Sequence, residues 1–194
     1  MQWVIDNPQK ARSGLLSMMR PVSVPETVQP VMFGDHLRLV PGAESLVIPA
    51  INDIRFIAER SDLFQGWIDS DFKNYGLALK QVPTVATKGQ VLEQVKDGKF
   101  GNIYTIPNCS LESLCFTQAQ VALFVKEHKN WLRTGGYGTF FLFKEKVDGK
   151  DKFFVACVYF GDRGQLSVGV YSVSRDFLCY AECLHRFVIP QLAS

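Results

Sequence analysis

The chain has 194 residues, of which 47% are hydrophobic and 21% charged, and its net charge is +2 at pH 7. That apolar content supports a packed core and excludes an intrinsically disordered protein. The near-neutral balance lacks the strong basic bias of a domain built to grip phosphate backbones, and no window reaches the ~20 apolar residues of a membrane-spanning helix.

One domain of ~100–200 residues is the default for this length. Residues 1–194 are therefore expected as a single domain, with 1–45 forming an N-terminal helix and a proline-rich extended arm packed on the core. The opening MQWVIDNPQKARSG has no basic stretch followed by an apolar run, so no signal peptide is expected. The five cysteines (Cys109, Cys115, Cys157, Cys179 and Cys183) are odd in number, and one falls mid-strand. They read as free thiols in a reducing, cytoplasmic compartment.

Asn7 and Pro8 fit N-cap and first-turn positions, and a helix is predicted from Pro8 to about Met19, stopped by Pro21. Residues 21–45 hold Pro21, Pro25, Pro30 and Pro41, which favour extended chain. Short strands are predicted at His36–Val40 and Ser45–Ile48. Pro49 then opens a helix to about Asp69, with Ile51, Ile54, Ile57, Ala58, Phe64, Trp67 and Ile68 near the 3.6-residue period. Leu77–Val85, interrupted by Pro83, reads as an edge strand or loop.

Two four-residue motifs look alike. Thr87-Lys-Gly-Gln90 and Thr117-Gln-Ala-Gln120 both match a capping box, and each predicts a helix start. The second also has Phe116 and Val121 at the hydrophobic-staple positions, so a helix is predicted over Gln118–Arg133, ended by Gly135-Gly136. Between the two, Asn102–Ile106 reads as a strand.

Asp148-Gly149 is a two-residue hairpin turn, because both central residues must accept positive φ. It sets Val147 opposite Lys150, Lys146 opposite Asp151 and Glu145 opposite Lys152, and the two opposite-charge pairs favour that register independently. Phe143 then faces Phe154 and Phe140 faces Cys157. Gly161-Asp-Arg-Gly164 makes the next turn, and a four-residue loop places Tyr159 opposite Leu166, Cys157 opposite Val168 and Phe154 opposite Tyr171.

Side chains alternate along a strand, so this register defines two faces. The first carries Phe140, Leu142, Phe153, Val155, Cys157, Tyr159, Leu166, Val168 and Val170, a continuous core surface. The second carries Thr139, Phe141, Phe143, Phe154, Ala156, Val158, Phe160, Ser167, Gly169 and Tyr171, large aromatics around small residues. Two readings of the second face stand side by side. It is buried beneath another layer, or it is a binding surface in which Phe141, Phe143, Phe154 and Tyr171 receive a partner. A last helix is predicted over 175–189 with Phe177, Tyr180, Ala181, Leu184 and Val188 on one face.

The residues with chemistry to offer are dispersed. Cys179-x3-Cys183-x-His185 could present two thiols on one helix turn, but a structural zinc wants four ligands, and helix packing explains two small thiols as well. No metal or cofactor is expected. A thiol nucleophile needs a base in reach. His36, His128 and His185 are the histidines, and Cys109, after a Pro107-Asn108 turn, is the most accessible thiol by sequence. Asp69, Asp71 and Glu59 read as a solvated helix end. No Gly-x-Gly-x-x-Gly, Gly-Lys-Ser/Thr or Gly-x-Ser-x-Gly motif occurs. Lys126, Lys129 and Arg133 sit near a helix C-terminus, and Lys144, Lys146, Lys150 and Lys152 decorate a hairpin tip.

The expected fold is α+β: an antiparallel sheet centred on a three-stranded meander over about 138–173, with helices 50–69, 118–133 and 175–189 packed mainly on one face. The expected function is a non-enzymatic binding or protein-interaction module using the aromatic face, its partner another protein or a second copy. A small enzyme with a non-local Cys/His site and a single-stranded nucleic-acid-binding protein are the alternatives.

Overall fold

The computed structural model describes residues 30–192. The predicted helix from Pro8 and the arm before Pro30 lie outside the described residues. Strands β1 (Met32–Phe33), β2 (Leu37–Leu39), β3 (Leu46–Ile48), β4 (Thr87–Gln94), β6 (Thr139–Val147), β7 (Lys150–Phe160), β8 (Leu166–Ser172) and β10 (Arg186–Pro190) share one sheet. Its order is β1-β2-β4-β10-β6-β7-β8, with β3 also paired to β4. Strands β5 (Gly98–Lys99) and β9 (Leu178–Cys179) form a separate short ladder. The α-helices among the described residues are α1 (Asp71–Asn74), α2 (Phe100–Ile103) and α3 (Gln118–Glu127).

This corrects the expected α+β arrangement. The meander is present as β6–β8, but it is half of a larger mixed sheet in which β10 runs parallel to β6 and antiparallel to β4. Nor are helices gathered on one face. Layers of mostly irregular chain cover both.

The reason lies in β4 and β10, two central strands expected as helices. Arg186–Pro190 is a run of Phe, Val and Ile before a proline, and Phe187, Val188 and Ile189 are all buried. A short apolar run buried on both faces carries no alternation, and β-branched residues favour the pleated backbone. Leu184, at φ +48°, breaks any helical path into it. In β4, Val91 and Leu92 point to opposite faces and both are fully buried. Gly89 sits three residues before Leu92, where it would weaken the first turn of a helix.

Two other segments also differ. Residues 50–69 form only a 3₁₀ turn at Ile57–Glu59, and the chain instead runs along the outer edge of β8. There Gly66 N–H donates to Leu166 O (2.9 Å), Val168 N–H to Trp67 O (2.8 Å) and Asp69 N–H to Val168 O (3.0 Å). Those bonds satisfy an edge that would otherwise be open to another strand. Residues 102–106, expected as a strand, instead begin inside α2 and continue as irregular chain after Ile103. Helix α3 stops at Glu127, short of Arg133; the backbone N–H of the cap residue His128 donates to Phe124 O (2.8 Å), and its ring Nε2 lies 2.8 Å from Val47 O.

The first hairpin has the expected register, from Val147 opposite Lys150 to Phe140 opposite Cys157, around Asp148 and Gly149 at φ +52° and +74°. The second differs by one residue. Gly161 N–H donates to Gln165 O (2.8 Å), so the loop is three residues, Asp162 to Gly164, with Gly164 at φ +76°. Glycine in the left-handed conformation at the end of a three-residue loop is a common hairpin closure. Phe160 therefore faces Leu166, Val158 faces Val168 and Val155 faces Tyr171. A one-residue slip moves every side chain of β8 to the other face.

With this register, one face buries Phe141, Phe143, Phe154, Ala156, Val158, Leu166, Val168, Val170 and Val188 beneath α3, α1 and the 43–77 segment. Gln118, fully buried, staples that cover to the sheet. It accepts from Ile57 N–H (3.1 Å) and donates to Leu77 O (2.9 Å) and Glu145 Oε1 (2.7 Å). The other face buries Phe140, Leu142, Val155, Phe187 and Ile189 beneath α2, Tyr104, Ile106 and Leu114. Among the described residues that second cover is incomplete over β7 and β8, where a cleft opens.

Candidate binding cleft

Phe141, Phe143 and Phe154 are 0%, 0% and 4% exposed. Phe143 stacks between Phe72 (6.4 Å) and Phe154 (5.8 Å), and Phe141 meets Phe124 edge-on at 5.4 Å. These three belong to the packed layer, the first of the two readings given to their face. Tyr171 does not accompany them. The slipped register sends it, with Ser167 and Gly169, to the opposite face.

There it lines a cleft of about 250 Å³ with Trp67, Phe140, Cys157, Tyr159, Phe177 and His185, flanked by Gly136 and Gly138. Each wall has a sequence cause. Trp67 is carried by the segment hydrogen-bonded to the β8 edge, which leaves its indole 49% exposed at the lip. Its ring lies 3.7 Å from where a Cβ of Gly169 would stand, so it packs over the β8 backbone at that glycine. Tyr171 is stacked on Phe177 at 5.4 Å with the planes 9° apart, and the guanidinium of Arg175 lies 4.9 Å from its ring centre. The floor is Cys157, paired with Phe140 on one side and Gly169 on the other. A Cβ on Gly138 would come within 2.8 Å of Cys157 Sγ, so only glycine fits that approach.

His185 closes one end. Its Nδ1 is 3.1 Å from Gly138 N–H and 3.4 Å from Gly138 O. The shorter contact is satisfied when Nδ1 accepts and Nε2 carries the proton. Burial pushes the pKa of His185 down, a contact with the Gly138 backbone opposes that, and nearby Arg133 adds to the fall. The imidazole is therefore neutral at pH 7. Tyr137, exposed, meets it edge-on at 5.9 Å and carries Arg133 over its own ring at 5.3 Å.

Cys157 and His185 thus share a cleft that no sequence spacing suggested. Their chemistry is muted. Burial pushes the Cys157 thiol up to about 12, and the thiolate, not the thiol, is the nucleophile.

The other sequence candidates are separated. Cys109 packs with the cluster under α2, whereas His128 lies against Phe124 in the layer on the far side of the sheet. Cys179 is buried in β9 with its carbonyl accepting from Gln94 Nε2 (2.9 Å), Cys183 lies in a 3₁₀ turn, and His185 faces the cleft. Among the described residues no group of three or more His, Cys, Asp and Glu side chains is placed to hold a metal ion. Asp69 serves the backbone, its carboxylate accepting from Asp71 N–H (3.0 Å) and Val170 N–H (3.3 Å). The hairpin lysines are partly paired: Lys144 with Glu112 and Asp151, and Lys152 with Asp148. No helix among the described residues is long and apolar enough to cross a membrane.

The alternating aromatic and small residues of β7 and β8 were the available signal for this cleft, but Trp67, Phe177 and His185 join it from segments distant in sequence. No family model, curated protein or solved structure matches the chain.

Proposed function

We infer that the protein is a non-enzymatic binding module that receives one ring-sized apolar group, an aromatic side chain of a protein partner, in the cleft around Tyr171. The observation that carries the reading is Trp67, 49% exposed at the lip of a concavity that also holds Cys157 and Tyr171. Tryptophan and tyrosine combine a large apolar body with a polar tip, and they dominate the anchoring pockets of interfaces. The cleft, at about 250 Å³, is smaller than the ~300–1,000 Å³ typical of drug-sized ligands. It suits a single ring. A protonated thiol and a neutral imidazole support non-covalent capture over nucleophilic chemistry. The five free thiols support a reducing, cytoplasmic setting for the encounter.

The test uses indole and p-cresol as stand-ins for tryptophan and tyrosine side chains, titrated into the full chain and followed by amide NMR. Saturable shifts are expected at Gly138, Gly169 and Tyr171. Trp67 lines the cleft and is 49% exposed, so removing its side chain opens no cavity in the core. Trp67→Ala should keep the fold and lose the shifts. Shifts that persist unchanged in Trp67→Ala, or that map elsewhere, overturn the reading.

A further inference from the structure

On the other side of the sheet, a cavity of about 360 Å³ lies where the end of α3 meets the β7–β8 hairpin. Lys126 and Lys129 line it from the helix end and the turn after it, Arg163 from the hairpin tip, and Gln65 and Gln165 from its sides. Asp62, the one carboxylate among its described lining residues, is already engaged. It accepts from Arg60 Nε (3.2 Å) and Nη2 (3.4 Å), and from Arg55 Nη1 (3.4 Å). Lys126 lies 3.6 Å from Glu127, an exposed pair of a kind worth only ~0–1 kcal/mol. Lys129 Nζ stands 5.5 Å above the Phe160 ring, which positions the ammonium without neutralising it. The C-terminal end of α3 contributes roughly half a negative charge, less than any one of the three cations.

We propose that this cavity binds a compact, multiply charged anion: the diphosphate group of a small molecule, or free pyrophosphate. Arg163 offers a planar fork of donors and the lysines offer point charges, the combination that recognises phosphoryl oxygens. The positive charge is local. The other lysine cluster lies at the β6–β7 turn, at the opposite end of β7, and two of its members are paired with carboxylates. A polynucleotide needs a continuous basic groove to follow its backbone, and these two clusters do not make one.

Pyrophosphate titrated into the full chain at constant ionic strength should give saturable amide shifts at Lys129, Arg163, Gly164 and Gln165. Lys129, Arg163 and Lys126 are exposed, so Lys129→Gln with Arg163→Gln should leave the thermal midpoint in place and weaken binding at least about tenfold. Lys126→Gln provides a second variant should that pair disturb the hairpin. A nucleoside diphosphate that binds more tightly than pyrophosphate identifies the anion as the head of a larger ligand, and equal binding identifies a free anion. The proposal is overturned if no saturation is reached by about 10 mM, if the double variant binds as well as the parent, or if a single-stranded oligonucleotide binds here without competition from pyrophosphate.

Discussion

The two faces of the sheet make opposite demands on their aromatic residues, and Phe143→Ala compared with Tyr171→Ala measures the difference. Phe143 is fully buried between Phe72 and Phe154. Truncating a buried phenylalanine costs ~3–5 kcal/mol through lost transfer energy and the cavity left behind, so about 4 kcal/mol is expected here. Tyr171 is half-buried at the cleft, with one face against Phe177. Its truncation should cost about half as much, since part of the ring is already wetted. Domains of this kind have ~5–15 kcal/mol in hand, so both variants should still fold. Urea unfolding followed by far-UV circular dichroism gives the answer. With a slope of about 2 kcal/mol per molar, Phe143→Ala should move the midpoint down by about 2 M and Tyr171→Ala by about 1 M. Binding of indole should be lost in Tyr171→Ala and kept in Phe143→Ala under conditions where each is folded. A Phe143→Ala midpoint within about 0.5 M of the parent, or a loss of indole binding confined to that variant, would refute the assignment of that face to the core.

The floor of the cleft and the charged loop before it make two further predictions. Gly138→Ala should destabilise the chain because its Cβ would stand 2.8 Å from Cys157 Sγ, and thermal melts should show Cys157→Ala recovering part of the loss; an unshifted melting temperature in Gly138→Ala would contradict the close packing. Asp53 is held at a pKa of about 2 by hydrogen bonds and charge from Arg55, with Arg60 adding to it. A depressed carboxylate contributes stability above its unfolded pKa of ~3.9 and loses that contribution as pH falls through about 2. Asp53→Asn should therefore be slightly less stable than the parent at pH 7 and indistinguishable from it below pH 2, as read from urea midpoints at the two pH values. A deficit that persists in acid would mean the side chain acts through packing.

What was legible in the sequence was local. Asp148-Gly149 and the charge pairs flanking it specified the β6–β7 register residue by residue. The Thr117 box is also real: Gln120 N–H donates to Thr117 Oγ1 (3.2 Å) and Thr117 N–H to Gln120 Oε1 (2.9 Å). The same pattern at Thr87–Gln90 lies in a strand, because a cap only starts what the following residues can continue. Ala-Gln-Val-Ala-Leu-Phe continues a helix, whereas a glycine within the motif followed by a short apolar run does not. The rest was non-local. Arg186–Pro190 becomes a strand only because β4 and β6 stand on either side to pair with it. Residues 66–69 are extended only because β8 offers them a free edge. The cleft inherits that difficulty, since its lip, floor and closing histidine come from three separated parts of the chain.

The register of β8 illustrates how the sheet resolves what the turn alone left open. A four-residue loop and a three-residue loop both suit Gly161-Asp-Arg-Gly-Gln165 by composition. They differ in which side of β8 meets the fuller cover. The three-residue loop sends Leu166, Val168 and Val170 beneath α3 and the 43–77 segment, where each is no more than 4% exposed. It sends Ser167, Gly169 and Tyr171 to the other side, where the first two are buried and Tyr171 is half-buried at the cleft. The alternative would exchange the two sets, taking three aliphatic side chains out of a closed layer at ~1.5–3 kcal/mol each when fully exposed. Even with half of that lost, the penalty is about 2–4.5 kcal/mol, a large share of the ~5–15 kcal/mol that holds such a domain folded. It is thus the cover of the sheet, more than the turn, that places Tyr171 in the cleft. A binding surface there follows from what the core refuses to give up on the other face.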